Sequence, residues 1–269
     1  MEQLSAEPVT KTNIQKSVEK LNLKNYHEKI SYFVNNRNKM KDIKIVIGIP
    51  NGSGLFPAMT VEALLKMRKT VPCMVSIVER QRTDMARNAI VRMALEGGAS
   101  HVLFIDDDNP PPEDTIEKFL EDDKDIVCSP IPTRNPNAQG VHDLCLFESE
   151  VVTEGAGKGM KIYKNLNKLN TSGSHLVKVD GCGMGCTLIK TEVLAKLYAK
   201  YEGKPFEYGD TTFTKDPKKL NVQRRTMSED MEFIERATEE GFEVWCDTRV
   251  RAPHIGRAKV FQFNDSHIE

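Results

Sequence analysis

His101-Val102-Leu103-Phe104-Ile105 runs without a break into Asp106-Asp107-Asp108. A short apolar run of this kind is the pattern of a strand buried on both faces. In open α/β sheets, ligands bind at the carboxyl ends of such strands, which is where these three carboxylates stand. Toward the N-terminus, Ala86 to Leu95 has a helical pattern and ends in Gly97-Gly98. Before it come an apolar strand, Cys73 to Val78, and a helical face of Val61, Leu64 and Leu65 with Met67 nearby. Lys44 to Ile49 is a β-branched strand stopped by Pro50-Asn51-Gly52-Ser53-Gly54. Toward the C-terminus, Pro110-Pro111-Pro112-Glu113-Asp114 opens a helix with prolines and acids in its first turn, where both are favoured. Ile116, Phe119 and Leu120 give that helix its apolar face, and Asp125 to Cys128 is a further strand. Strand alternating with helix from 43 to 128 predicts a parallel, doubly wound sheet.

The second half is more mixed. Leu176 to Val179 reads as a strand, Gly181-Cys182-Gly183-Met184-Gly185 as a tight loop, and Cys186 to Ile189 as a strand feeding a helix over 191–200. Thr226-Met227-Ser228-Glu229 fits a capping box and begins a helix over 229–239, which Gly241 ends. Glu243 to Cys246 is a last strand before Pro253-His254. Residues 155–178 hold five lysines and no acid, without sustained periodicity, and read as a long, basic, mobile excursion. Residues 1–41 carry eight basic and four acidic side chains, with Ile14, Val18, Leu21, Ile30, Phe33 and Val34 at helical spacing. They form an amphipathic helical arm suited to packing on the domain, to joining a homo-oligomer or to meeting an acidic surface. The chain thus divides into the arm, 1–41, and one domain, 42–269, whose halves fall at about 42–130 and 131–256.

Composition narrows the function classes. With 39% hydrophobic and 29% charged residues, the 269-residue chain reads as soluble and folded. A net charge of -1 argues against stable nucleic-acid binding over its surface. No apolar run approaches the roughly 18 residues of a membrane span, and the first residues have no signal-peptide core. Six dispersed cysteines fit reduced, structural thiols in a cytoplasmic compartment. The charge is nevertheless segregated, for residues 106–125 carry ten acids against two lysines.

Three groups of residues carry chemistry. In an extended segment residues i and i+2 point the same way, so Asp106 and Asp108 can converge while Asp107 faces elsewhere. Two converging carboxylates suit Mg²⁺ or Mn²⁺ bound together with a substrate diphosphate; a solvated acidic loop is the plain alternative. A dehalogenase-type nucleophile also places D-x-D after an apolar strand, but Pro110 stands where that pattern has Thr or Val. Second, Arg80, Arg82, Asp84, Arg87 and Asn88 cluster before and within the helix feeding the Asp strand. Guanidinium forks suit phosphate and ribose there, if this is not merely a charged helix start. Third, Ser228-Glu229-Asp230 opens a helix, and His254 follows in Pro253-His254-Ile255-Gly256. A carboxylate at that position can act as a general base or be an ordinary acidic first turn. The glycine loops at 48–54 and 181–185 match neither Walker nor dinucleotide signatures, and Cys182 with Cys186 makes a poor zinc site.

Taken in order, these segments resemble the GT-A glycosyltransferases, in particular their family-2-like phage and bacterial members, over roughly residues 43–256. The resemblance rests on the strand ending in Ile49-Pro50, on Ala86-Arg87-Asn88, on Phe104 to Asp108 with Pro111-Pro112, on Gly181 to Lys190, on Ser228-Glu229-Asp230 and on Pro253-His254. It implies a Rossmann-like α/β fold with a mostly parallel central sheet flanked by helices. It implies metal held by Asp106, Asp108 and His254, and a nucleotide held by Ile49, Pro50, Arg82, Asp84, Arg87, Asp106 and Asp107. Gly183 would lie by the donor sugar, and Asp230, beside Glu229, would be the catalytic base of an inverting transfer. The implied donor is a UDP- or GDP-linked sugar and the acceptor a hydroxyl on a glycan or protein. The second strand ends Val78-Glu79-Arg80, without the acidic pair and glycine common in that family, so a retaining outcome stays open. A sugar-phosphate nucleotidyltransferase shares the sheet and the acids, yet normally carries Arg and Lys in its first loop, where this chain has Pro50 to Pro57 with neither. A degenerate, non-catalytic nucleotide-sugar-binding or assembly module is the remaining alternative.

Overall fold

The computed structural model describes residues 42–154, 161–216, 219–256, 260–261, 263 and 267. The N-terminal arm lies outside the described residues. Within them, β1 (Ile45–Asn51), α1 (Ala58–Lys66), β2 (Cys73–Glu79), α2 (Thr83–Glu96), β3 (His101–Ile105), α3 (Thr115–Asp122) and β4 (Ile126–Cys128) alternate as the periodicity predicts. β5 (Leu146–Val151), β6 (Lys161–Asn165), β7 (Leu176–Val179), β8 (Gly181–Cys182), β9 (Cys186–Lys190) and α4 (Thr191–Lys200) follow. The chain continues through β10 (Gly209–Asp216), β11 (Lys219–Met227), α5 (Glu229–Glu239), β12 (Val244–Asp247), β13 (His254–Ile255) and β14 (Val260–Phe261).

The central sheet has seven strands in the order β2-β1-β3-β9-β4-β12-β7. β9 and β7 run against the rest, so the sheet is mixed but mostly parallel, and helices flank it. The departure from a purely parallel reading is β9, which inserts antiparallel between β3 and β4. This short, buried strand pairs on both sides, and nothing in its local pattern encodes direction. Pro50 does not stop β1. Asn51 O accepts from Arg80 N on the β2 side, so the Pro50 nitrogen turns to the β3 side. There the pairing has ended at Gly48, and no ladder bond is lost.

Alternation divides the core. Val46, Val102, Phe104, Ile126, Cys128 and Ile189 pack with α2, α4 and α5 in one cluster. The intervening Ile47, Leu103, Ile105 and Val127 are equally buried on the other face, where α3 packs on β4 and β12. Gly48 lets α2 approach β1 closely, since a Cβ there would stand 2.4 Å from Ile90 Cγ2. The expected apolar face of α1 is buried only in part: Val61 is 43% and Leu65 80% exposed, Leu64 is half-buried, and Met67 and Thr60 turn inward. Two further expectations change. The α5 cap is Ser228, whose Oγ accepts from Met231 N at 3.4 Å, rather than Thr226. The lysine-rich 155–178 stretch, read as mobile, contains β6, paired antiparallel with β5, and the buried Leu169. In that strand Ile162 and Tyr163 are half-buried while the lysines on either side are not, so the charge hides the packing. Residues 209–227, for which the sequence makes no prediction, form the β10–β11 hairpin.

Candidate functional site

Arg87 organises the carboxyl end of β3. Its α2 backbone lies on β1, and its side chain is only 1% exposed, with the Phe104 and Phe206 rings each 5.9 Å from the guanidinium carbon. Nη2 donates to Asp106 Oδ1 at 2.8 Å, and Nη1 donates to both Glu229 Oε1 and Asp230 Oδ1. Burial opposes the Arg87 charge, but Asp230, Asp106 and Glu229 together outweigh it and raise its pKa. One buried cation thus ties the strand-end carboxylate to the first turn of α5. Among the described residues, Nε is buried without a partner.

The three acids around it differ in access. Glu229 keeps 8% of its side chain exposed, Asp230 20% and Asp106 30%. Burial pushes Asp230 up to about 7, with Arg87 pulling it down and Glu229 pushing it further up. Burial likewise raises Asp106, partly offset by Arg87. Asp230 Oδ2 also accepts from Met184 N at 3.3 Å. The glycine loop therefore delivers a backbone N–H to this carboxylate. A Cβ on Gly183 would stand 3.7 Å from Asp230 Oδ2, in ordinary contact, whereas one on Gly185 would collide with Asn109 Oδ1 at 2.2 Å. The tight approach is thus at Gly185, under the Asp turn, and Gly183 leaves space beside Asp230.

The aspartates do not continue the strand. Asn109 N donates to Asp106 O at 3.0 Å, closing a turn at the end of β3, so the extended geometry expected for Asp106 and Asp108 is absent. The turn sends Asp106 to Arg87 and Asp108 to a second centre. There Arg134 Nη2 bonds Asp108 Oδ2, and Arg134 Nε donates to His254 Nε2 at 2.8 Å. His254 Nε2 stands 3.7 Å from Asp108 Oδ2. Its Nδ1 lies 2.8 Å from Pro132 O and donates to it, which leaves Nε2 as the acceptor. Burial lowers the His254 pKa, the Pro132 bond opposes it, and Arg134 adds a smaller lowering. Among the described residues no three His, Cys, Asp or Glu side chains converge as a metal-holding group.

The remaining expected contacts fall elsewhere. Arg82 forks onto Asp84, Nε to Oδ1 and Nη2 to Oδ2 at 2.6 Å each, and lies 5.3 Å from the centre of the Tyr208 ring. Asp84 is buried in that pair. A cleft of about 510 Å³ at the start of α2 is lined by Arg82, Asp84, Asn88, Arg92, Phe206 and Glu207 among others. Arg87, from the same sequence cluster, does not line that cleft, and its Nη atoms are taken up by Asp106, Glu229 and Asp230. Ile49 and Pro50 are buried in β1, and neither presents a side chain at the surface of the site. Asp107 holds α1 through its carbonyl, which accepts from Thr60 Oγ1 at 2.6 Å; burial and Asp106 raise its carboxyl. Sequence reasoning missed Arg134 and Asn109. Asn109 is buried at 3% exposure and donates to Pro253 O at 3.0 Å, fastening the Asp turn to the His254 segment. Its direct position after three aspartates was the available signal.

No protein-family model matches the sequence, and comparison with curated proteins gives no match. Among solved structures, the chain is similar to A197 from STIV at 18% identity, covering 84% of this chain and 97% of that one, with a TM-score of 0.48. It is similar to residues 1–349 of S. aureus TarS at 13% identity, 77% and 60% coverage and a TM-score of 0.37. A mutant UDP-glucose pyrophosphorylase from Leishmania major aligns at 10% identity, 73% and 60% coverage and a TM-score of 0.33. The chain thus spans less than two thirds of the TarS and pyrophosphorylase chains. All three likenesses are remote. The mixed α/β architecture stands on the strand order itself, and no described helix is long and apolar enough to cross a membrane.

Proposed function

We propose that the chain is a nucleotide-sugar-dependent glycosyltransferase of GT-A type, working by inversion with Asp230 as the base. The observation that carries this reading is the shared guanidinium of Arg87, which brings Asp106 at the end of β3 and Asp230 at the start of α5 to one site. Two motifs that the sequence could only order thereby become neighbours. A base must reach the acceptor proton and hold a pKa near the working pH. Asp230 is the better exposed of the two α5 acids, and burial has moved it to about 7. In the proposed step the acceptor oxygen bonds to the anomeric carbon, the bond from that carbon to the diphosphate oxygen breaks, and the acceptor proton passes to Asp230. Arg87 holds Oδ1 and Met184 N–H holds Oδ2, which orients the carboxylate. Glu229 buttresses Arg87 from below as a positioning residue.

The donor set fits a divalent ion at Asp108 and His254. The Asp108 oxygen suits Mn²⁺ or Mg²⁺ and the His254 nitrogen suits Mn²⁺ better than Mg²⁺, substrate phosphates would supply the other ligands, and the Pro132 bond presents Nε2. Asp106, whose Oδ1 is on Arg87, does not join that pair in a three-ligand group. A bound ion would neutralise charge on the departing diphosphate. The test is Asp230→Asn. Transfer from a UDP- or GDP-sugar is expected to fall by about 10²–10⁴-fold, with nucleotide binding retained. Wild-type turnover in that variant would remove Asp230 as the base.

A further inference from the structure

The second centre contains a cation of its own. Arg134 spans Asp108 Oδ2 and His254 Nε2, the same two donors that face each other at 3.7 Å. Both donors are fixed from behind. Ile255 N donates to Asp108 O at 2.8 Å, and His254 Nδ1 is anchored on Pro132 O. Arg134 differs: its side chain is 56% exposed, against 14% for Asp108 and for His254. Its backbone sits at the foot of a loop closed by Thr133 N to Asp143 O at 2.7 Å and by Asn137 Nδ2 to Asp143 Oδ1 at 2.8 Å. The guanidinium is therefore the one member of the trio that can swing into solvent without moving the main chain.

A guanidinium N–H and a divalent ion cannot share the single lone pair of His254 Nε2, which Arg134 Nε occupies. We propose that Arg134 is a resident counter-ion which a divalent cation displaces to reach Asp108 and His254. This rests on the reading of those two residues as the ion-holding pair. It deepens that reading by making Arg134 a residue that sets metal affinity. With no metal bound, Arg134 satisfies a carboxylate and an imidazole that would otherwise face each other unpaired. The metal must overcome two charge-assisted or hydrogen-bonded contacts before it gains its own, so affinity for the free ion is held down. Arg is suited to this because its planar fork reaches both donors at once, which a lysine ammonium does not.

The test is Mn²⁺ binding to the full chain with and without UDP or GDP, followed by electron paramagnetic resonance and calorimetry at one fixed pH. Wild type, Arg134→Ala, Arg134→Lys and Asp108→Asn are compared. Removing a contact to a charged group of this class is expected to tighten Mn²⁺ binding roughly tenfold or more in Arg134→Ala. Arg134→Lys, with net charge unchanged, is expected to bind more tightly than wild type but less tightly than Arg134→Ala. Asp108→Asn is expected to abolish the site. If both Arg134 variants bind Mn²⁺ as wild type does while Asp108→Asn does not bind, displacement is wrong and the ion site stands. A gain in Arg134→Ala alone, with Arg134→Lys equal to wild type, overturns the bridging role, because loss of charge would explain it. If no variant and no wild type binds Mn²⁺, both the proposal and the ion pair beneath it fail.

Discussion

Two arginines serve the end of the same strand in opposite ways. Arg87 is 1% exposed and bonded to three carboxylates, and its environment leaves it no freedom. Arg134 is 56% exposed and spans one carboxylate and one imidazole. The first arrangement is a fixed scaffold: it positions Asp106 and Asp230 and lets burial set the Asp230 pKa. The second is an exchangeable contact in solvent. Side-chain chemistry is the same, so burial and the number of partners decide which arginine is framework and which is ligand-responsive.

The contrast is broken most severely at Asp230. Asp230→Asn leaves the Arg87 scaffold nearly isosteric but removes the proton acceptor, the about 10²–10⁴-fold loss of transfer given above. Transfer in wild type is expected to rise as pH climbs through about 7, the value to which burial pushes Asp230; a pH–rate profile flat through that region argues for another base. Next is Arg87→Leu, which strands three carboxylates. Breaking one buried pair costs about 3–5 kcal/mol, so urea unfolding is expected to show a loss at least that large. A loss below about 1 kcal/mol would mean the cluster relaxes by taking up protons.

A third expectation uses a pair outside the site. Burial, followed by Asp247, pushes Asp122 up to about 8, and Arg249 opposes them. The folded pKa lies above the ordinary carboxylate value of 3.8, so the protonated fold is favoured. That contribution is fully present below 3.8 and is lost as pH rises through about 8. Asp230 adds a loss of the same sign through about 7, where its activity rises. Unfolding free energy is therefore expected to fall between pH 3.8 and about 8, and Asp122→Asn should flatten that fall and leave the curve above about 8 unchanged. The smallest effect is on the exposed arginine. Arg134→Ala is expected to change stability by less than about 0.5 kcal/mol, because pairs this open contribute little. A loss near that of Arg87→Leu would erase the distinction between the two arginines.

Much of the architecture was legible from residues alone. Apolar runs bounded by glycine and proline located β1 to β4, and the helices over 191–200 and 229–239 match α4 and α5 to the residue. Periodicity reports which residues are apolar, but not which neighbour covers them. Val61 and Leu65 read as a core face and are exposed, because the edge strand β2 and α1 have no described element over them. Direction is equally silent in a fully buried strand, hence the unforeseen antiparallel β9. In the site, aspartates and the Ser228-Glu229-Asp230 turn could be picked out because acids at a strand end or helix start are conspicuous. Arg87 was noticed for its charge and placed at the nucleotide, yet its depth under α5 follows only from tertiary packing. Arg134 carried no signal beyond lying in a proline-bounded loop after β4, since its meaning comes from His254, 120 residues away.

Thermal unfolding of the wild-type chain across a panel of nucleotide diphosphates, with and without Mn²⁺, tests nucleotide-sugar transfer at this site most directly. A ligand that binds only the folded chain stabilises it by about 2.7 kcal/mol at a hundredfold excess over Kd. A rise in Tm with UDP or GDP that requires Mn²⁺ is expected. No rise with any nucleotide diphosphate, in the presence or absence of the metal, contradicts it.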